Sequence, residues 1–173
     1  MQRENSMTRK SWRIVVLLVG LGMPVLHTFA AQPSNAAGAV VATANQPAQT
    51  CVRSDADTRR ALQQGTTRVV VVVRGFQPVV SGNSALVVSL LSANKTERHE
   101  VGRFAVHPLR AFSAKDPHKQ KQFLLTLNEQ AHLLGNNDAI CFEVGFDSRQ
   151  GNLKNGKLEF HIELVEVQTK PAQ

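Results

Sequence analysis

The chain has 173 residues, 20 Lys and Arg against 13 Asp and Glu, a formal net charge of +7, one Trp and no Tyr. This length suits a single domain. Because the Trp lies at position 12, Phe is the only aromatic residue type besides His after residue 30. Sites for sugars and single-stranded nucleic acids usually stack their ligands on exposed aromatic rings. The composition therefore argues against both functions.

The first 30 residues have the pattern of a secretory signal peptide. Four basic residues precede the apolar run at residues 14–26, and Thr28 and Ala30 supply small residues at the −3 and −1 positions of a cleavage site after Ala30. An uncleaved membrane anchor is the alternative, but the run is shorter than the roughly 20 residues of a spanning helix. We expect a periplasmic or secreted protein with no stable membrane span after cleavage.

Cleavage would also change the charge. Four of the 20 basic residues and one of the 13 acidic residues precede residue 31, which leaves a net charge of +4. Such a mild excess does not imply binding to nucleic acid. Two cysteines, Cys51 and Cys141, remain after cleavage. An oxidising compartment favours a disulfide between them, and two free thiols are the alternative.

The domain boundaries follow from composition. Residues 31–50 are uncharged and rich in Ala, Pro, Asn and Gln, which predicts a flexible lead-in. Residues 51–167 would form the folded domain, and residues 168–173 a tail. A short helix is predicted at residues 54–64, with Ser54 and Asp57 as a capping pair and Gly65 as its end.

The rest of the domain has the pattern of β-strands. Val69 to Val73 are consecutive, which indicates a strand covered on both faces, and apolar residues alternate with polar ones after Lys157. Short strands between polar turns predict an all-β fold, an antiparallel β-sandwich of about six to eight strands with one or two short helices. The strands are predicted at residues 68–74, 85–91, 100–107, 122–126, 139–146 and 157–167.

Three pieces of this pattern resemble the C-terminal β-sandwich domain of tyrosinases and plant-type polyphenol oxidases. They are residues 100–108 (EVGRFAVHP), residues 123–135 (FLLTLNEQAHLLG), and residues 139–145 together with 158–167. The copper-binding domain of those oxidases has no counterpart, since the chain has no His-x-x-x-His pair. The resemblance implies a stand-alone module without oxidase activity, whose partner would be an exported protein such as a tyrosinase-type oxidase.

The histidines leave a weak case for a metal. His107 precedes a polar loop at residues 108–121, called the basic loop below, and His118 lies within it, so that folding of the loop could bring the two together on a copper ion. A blue-copper site also needs a Cys and usually an axial Met, and no Met follows residue 30. Histidines in water at the loop ends are the alternative, and no cofactor is expected otherwise.

The basic loop is also the best candidate for partner binding. Arg110, Lys115, Lys119 and Lys121 could bind an acidic partner or an anionic ligand, and a solvated loop that aids solubility is the alternative. No nucleophile motif such as Gly-x-Ser-x-Gly is present, and Glu159 and Glu163 fit a solvated strand face. The sequence therefore predicts a non-enzymatic, exported binding module, with a small-ligand or metal-binding protein as the alternative.

Overall fold

A computed structural model describes residues 38–80, 84–147 and 153–167, which belong to one compact unit, Gln32–Gln173. The predicted signal peptide and the predicted tail lie outside the described residues, so both stay predictions. Within the described residues, no helix is long and apolar enough to cross a membrane.

The described residues form eight β-strands, one α-helix and two single-turn 3₁₀ helices. The bounds are β1 Val40–Thr43, β2 Ala48–Arg53, α1 Ala56–Gln64, β3 Thr67–Gln77, β4 Ala85–Leu91, β5 Arg98–Ala105, β6 Lys121–Leu125, β7 Ala139–Phe146 and β8 Lys157–Glu166, with 3₁₀ turns at Pro117–Lys119 and Ala131–Leu133.

The strands form two four-stranded sheets, and every strand pair is antiparallel. Sheet A has the order β1-β8-β3-β6, and sheet B has the order β2-β7-β4-β5. This architecture confirms the predicted all-β sandwich. Every connection except that from β4 to β5 passes between the sheets, so most strand pairs join segments that are distant in sequence, as β1 with β8 in sheet A.

The core lies between the sheets and is built from the inward residues of each strand. Val69, Val71 and Val73 of β3 pack in it with Phe142 and Phe160, and all five are no more than 1% exposed. Burial of a side chain of this size stabilises the fold by about 1.5–3 kcal/mol. The two intervening valines, at positions 70 and 72, are only 4% exposed, which confirms that both faces of β3 are covered.

The predicted lead-in was wrong for the described part of residues 31–50. Val40 to Thr43 pair with β8, and the residues of β2 pair with β7. Ala42 is fully buried, although its small side chain gives little sequence signal for a strand. These segments lack the large apolar residues that mark a strand, and they are held in the sandwich by hydrogen bonds to strands more than 85 residues away. The described sandwich therefore begins at Val40 rather than at residue 51.

The helix begins at Ala56, two residues later than predicted, and its N-cap is one residue later than predicted. Asp55, not Ser54, is the N-cap, and its Oδ1 accepts a hydrogen bond of 2.7 Å from the backbone N–H of Thr58. This hydrogen bond lowers the pKa of Asp55 below its ordinary value. Ser54 is buried, and its backbone N–H donates to Asp138 O at 2.9 Å. Gly65 ends the helix with φ 72°, as predicted from its position.

The predicted disulfide is present. Cys51 of β2 and Cys141 of β7 are directly opposed across the strand pair, and their bridge joins residues 90 apart in sequence. Their neighbours Val52 and Ile140 point into the core, so the disulfide lies on the outer face of sheet B. It fixes the edge strand β2 to the sheet.

Candidate functional site

The basic loop connects β5 of sheet B to β6 of sheet A. The predicted third strand was too long at its end, because β5 stops at Ala105 and leaves His107 exposed beyond it. Halfway along the loop, the backbone of Phe112 exchanges two 2.9 Å hydrogen bonds with that of Phe76 in β3. The Phe112 ring lies against the Phe76 ring, with centroids 6.0 Å apart. The loop is thus anchored at its centre.

Around this anchor the loop encloses a cavity of about 310 Å³, called the basic pocket below. Three of the four predicted cations line it together with His118, while Lys115 and His107 do not. Its walls are Pro108, Arg110, Ala111, Phe112, His118, Lys119 and Lys121. The tertiary fold therefore gathers most of the predicted anion-binding residues, and of the two histidines predicted to share a metal only His118 lines the pocket.

The charge in the basic pocket is mostly uncompensated. Lys119 Nζ lies 3.4 Å from Asp116 Oδ2, but both side chains are about half exposed, and such pairs contribute about 0–1 kcal/mol. Arg110 and Lys121 form no ion pair with any residue that the structure describes. A negative group entering the pocket would therefore meet cations without having to displace strong internal partners.

The same charges are unfavourable for a metal ion. A copper ion at His118 would be repelled by Arg110, Lys119 and Lys121, which line the same cavity. In the described ranges, no group of three His, Cys, Asp or Glu is arranged to hold a metal. The predicted copper pair stays a prediction, and the pocket's electrostatics argue against it.

A second concave region, which the sequence did not predict, lies on the outer face of sheet B. This sheet-B groove has a volume of about 900 Å³. It is lined by Ala44, Asn45, Pro47, Val87, Ser89, Arg98, Glu100, Arg103, Glu143, Gly145, Phe146, Asp147 and Leu153. Unlike the basic pocket, it is built mainly on strands and carries both signs of charge.

The charges of the groove form two connected groups. Arg103 donates to Glu100 through Nε at 3.1 Å and Nη2 at 2.8 Å, and its Nη1 donates to Asp147 Oδ2. Arg98 Nε lies 3.1 Å from Glu143 Oε1, and Gln49 Nε2 donates to Glu143 Oε2 at 3.0 Å. The Asp147 side chain is 8% exposed and that of Glu143 is 11% exposed.

A β-bulge places these arginines on one face. Val88 pairs with Gly102 and Ser89 pairs with Glu100, so that Val101 is an extra residue in β5. Without the bulge, strict alternation would point Glu100 and Arg103 to opposite faces. A Cβ on Gly102 would lie 2.3 Å from Leu125 Cδ2, so any larger residue at this inward position would displace the buried Leu125 side chain. The Gly102-Arg103 dipeptide was the one sequence signal for the bulge.

Comparison with models of known protein families and with curated proteins finds no match for this chain. The similarity to the C-terminal domain of tyrosinases therefore stays a prediction from the sequence, and the fold and the two concave regions carry the functional argument.

Proposed function

We propose that this protein is an exported, non-enzymatic β-sandwich module that binds an acidic segment of a partner protein in the basic pocket. One observation carries the proposal: Arg110, Lys119, Lys121 and His118 line a single cavity, and the described residues of its walls include no carboxylate. Like charges on an exposed loop cost little in water, but they attract an anionic group strongly once it excludes that water.

The size of the pocket favours one acidic side chain over a larger ligand. A volume of about 310 Å³ lies at the lower end of the roughly 300–1,000 Å³ typical of small-molecule sites. Pro108, Ala111 and Phe112 provide apolar walls for the methylene stem of a Glu side chain, and the cations surround its carboxylate. Neighbouring acids of the same segment would meet Lys115 outside the pocket.

The two features that favour export also favour a partner outside the cytoplasm. The N-terminal pattern is that of a signal peptide, and the Cys51–Cys141 disulfide is typical of oxidising compartments. An exported tyrosinase-type oxidase is the partner that the sequence resemblance suggests. The proposal about the pocket does not depend on that identity, because it specifies only the chemistry of the bound segment.

A direct test measures binding of a fluorescent hexaglutamate peptide at low and high salt. We expect Lys119→Glu with Lys121→Glu to weaken binding about tenfold or more, because two attractive charges become repulsive. The matched control is Lys95→Glu with Lys154→Glu, which changes the net charge equally at two exposed positions that do not line the pocket. Equal loss of affinity in both variants would show that only net charge matters and would overturn the proposal.

Two further probes separate the alternative functions. Inorganic phosphate competing with hexaglutamate at equal concentration would favour a small-anion-binding protein over a partner-binding module. Cu(II) alone, compared between the natural chain and His118→Ala, tests the metal alternative. Tight copper binding that His118→Ala abolishes would contradict the electrostatic argument and replace the proposal.

A further inference from the structure

In the sheet-B groove, two arginine side chains cross a strand to reach their partners. Arg98 and Arg103 belong to the edge strand β5, whereas Glu143 belongs to β7 and Asp147 follows it directly. Strand β4 lies between β5 and β7 in sheet B. Both guanidinium groups therefore extend over β4 and form the upper wall of the groove.

The floor beneath them is low because the residues of β4 that face it are small. Val87 pairs with Arg103 on one side and Gly145 on the other, and Ser89 lies between Glu100 and Glu143. Long side chains at these two positions would fill the space between the arginines. The groove is thus a consequence of small residues in a central strand flanked by long charged residues on both neighbours.

The charged groups have unused binding capacity. The Arg98 side chain is 60% exposed and its nearest approach to Glu143 is through Nε at 3.1 Å, and its terminal nitrogens donate no hydrogen bond to any described residue. Such a planar pair of donors matches a carboxylate. Glu100 is 46% exposed and is available to a cation beside Arg103. Among the described residues that line it, the groove has two guanidinium groups and three carboxylates, an excess of one negative charge.

We propose that the sheet-B groove binds a free basic amino acid, a small ligand with one carboxylate and two cationic groups. Its carboxylate pairs with the free end of Arg98, and its cationic groups lie toward Glu100 and Glu143 above Ser89. This ligand has one positive charge in excess, which complements the groove. Alternate residues on one face of β5 are about 7 Å apart, which is comparable to the length of an extended arginine.

The rigidity of the site supports a ligand over chance pairing of surface charges. The Glu143 carboxylate is held by Gln49 of the paired strand β2 and by Arg98, and the Asp147 carboxylate is held by Arg103. Burying such groups requires removing them from water, and replacing a buried ion pair by apolar residues is often neutral or stabilising. A preorganised set of charges is what recognition of a polar ligand needs.

The test titrates L-arginine into the full chain and follows backbone amide signals by NMR. We expect binding at about millimolar concentrations, as suits an open groove, with shifts at Ser89, Arg98 and Glu143. L-citrulline has the same shape without the side-chain charge, and agmatine lacks the carboxylate. Both should bind at least about tenfold more weakly. Equal binding of either compound, or no shift in the groove at about 20 mM arginine, would overturn the inference.

Two variants test the location of the site. Ser89→Leu fills the floor without altering any charge, and we expect it to weaken arginine binding at least about tenfold. Val41→Leu adds the same kind of bulk on the exposed face of sheet A and should have no effect. Unchanged arginine affinity in a folded Ser89→Leu protein would refute the assignment. If that variant does not fold, the ligand series on the natural chain decides.

This inference is independent of the proposed function. Reversal of Lys119 and Lys121 should weaken hexaglutamate binding while leaving arginine binding intact, and Ser89→Leu should weaken arginine binding while leaving hexaglutamate binding intact. Loss of both activities in either variant would indicate a folding defect or a shared site, and would contradict the separation proposed here.

Discussion

The basic pocket and the sheet-B groove use charge in opposite ways. In the pocket, like charges gather on a loop, remain largely exposed and have few internal partners. In the groove, opposite charges are paired across strands, and two of the carboxylates are almost buried. One fold can therefore carry exposed, uncompensated charges on a loop at little desolvation free energy, and nearly buried, preorganised charges on a sheet at a larger one.

The largest expected effect is on the sheet that carries the groove. Replacing Cys51 and Cys141 together by Ser should lower the free energy of unfolding by about 4 kcal/mol, because the unfolded chain loses a long closed loop. Urea denaturation measures the change. Hexaglutamate binding by the remaining folded protein should be unaffected, because the basic pocket lies elsewhere. A loss of less than about 1 kcal/mol would show that strand pairing alone fixes β2.

The second prediction compares one aspartate from each region. Asp147→Ala should destabilise the fold by about 2 kcal/mol, because Arg103 loses its most buried partner and keeps only Glu100. Asp116→Ala removes an exposed partner of Lys119 and should cost less than about 0.5 kcal/mol. Chemical denaturation of both variants gives the comparison. Similar costs would contradict the distinction between compensated and uncompensated charge.

The third prediction concerns affinity in the basic pocket. Asp116→Asn removes the acidic partner of Lys119 with little change of shape, and it should raise the affinity for hexaglutamate about threefold. Asp138→Asn is the control, because this acid lies beside the start of the helix and outside the pocket. Fluorescence anisotropy measures both affinities. Equal gains would mean that the net charge of the chain, rather than the pocket, determines binding.

The smallest effect is expected outside both regions, at the helix cap. Hydrogen bonding from Thr58 lowers the pKa of Asp55 in the folded state, so the ionised cap stabilises the helix above pH 3.8. That stabilisation disappears as the pH falls through the lowered folded pKa. Asp55→Ala should therefore reduce the melting temperature slightly at neutral pH and not at strongly acidic pH, whereas Asp55→Asn should retain the cap. A pH-independent difference would contradict this role.

Much of the fold could be predicted from local patterns. The predicted fifth strand, residues 139–146, has the observed bounds, and the predicted last strand differs by one residue at its end. Alternating or continuous large apolar residues mark these strands, because their side chains must be buried on a pleated sheet. Ala42 and Thr50 carry no such signal, and their strands were missed because pairing with distant partners determined them.

The two candidate sites show the same contrast between local sequence patterns and long-range pairing. The sequence identified Arg110, Lys119 and Lys121 because all three lie within one loop, residues 108–121. The groove unites Arg98 and Arg103 with Glu143 and Asp147, about 40 residues further along the chain. No local pattern reveals such a cluster. Period-two alternation from Glu100 would also place Arg103 on the opposite face of the sheet, and the bulge at Val101 brings it to the same face.

Local patterns were enough to predict the class of fold and the disulfide, because hydrophobic periodicity acts locally and the cysteines form a single pairing. They also indicated the loop on which positive charge accumulates. The three-dimensional arrangement was needed to show that His107 does not line the basic pocket, that residues 40–53 belong to the sandwich, and that a charged groove exists on sheet B. Strand order, register and bulges are set by long-range hydrogen bonding and packing, which few individual residues specify.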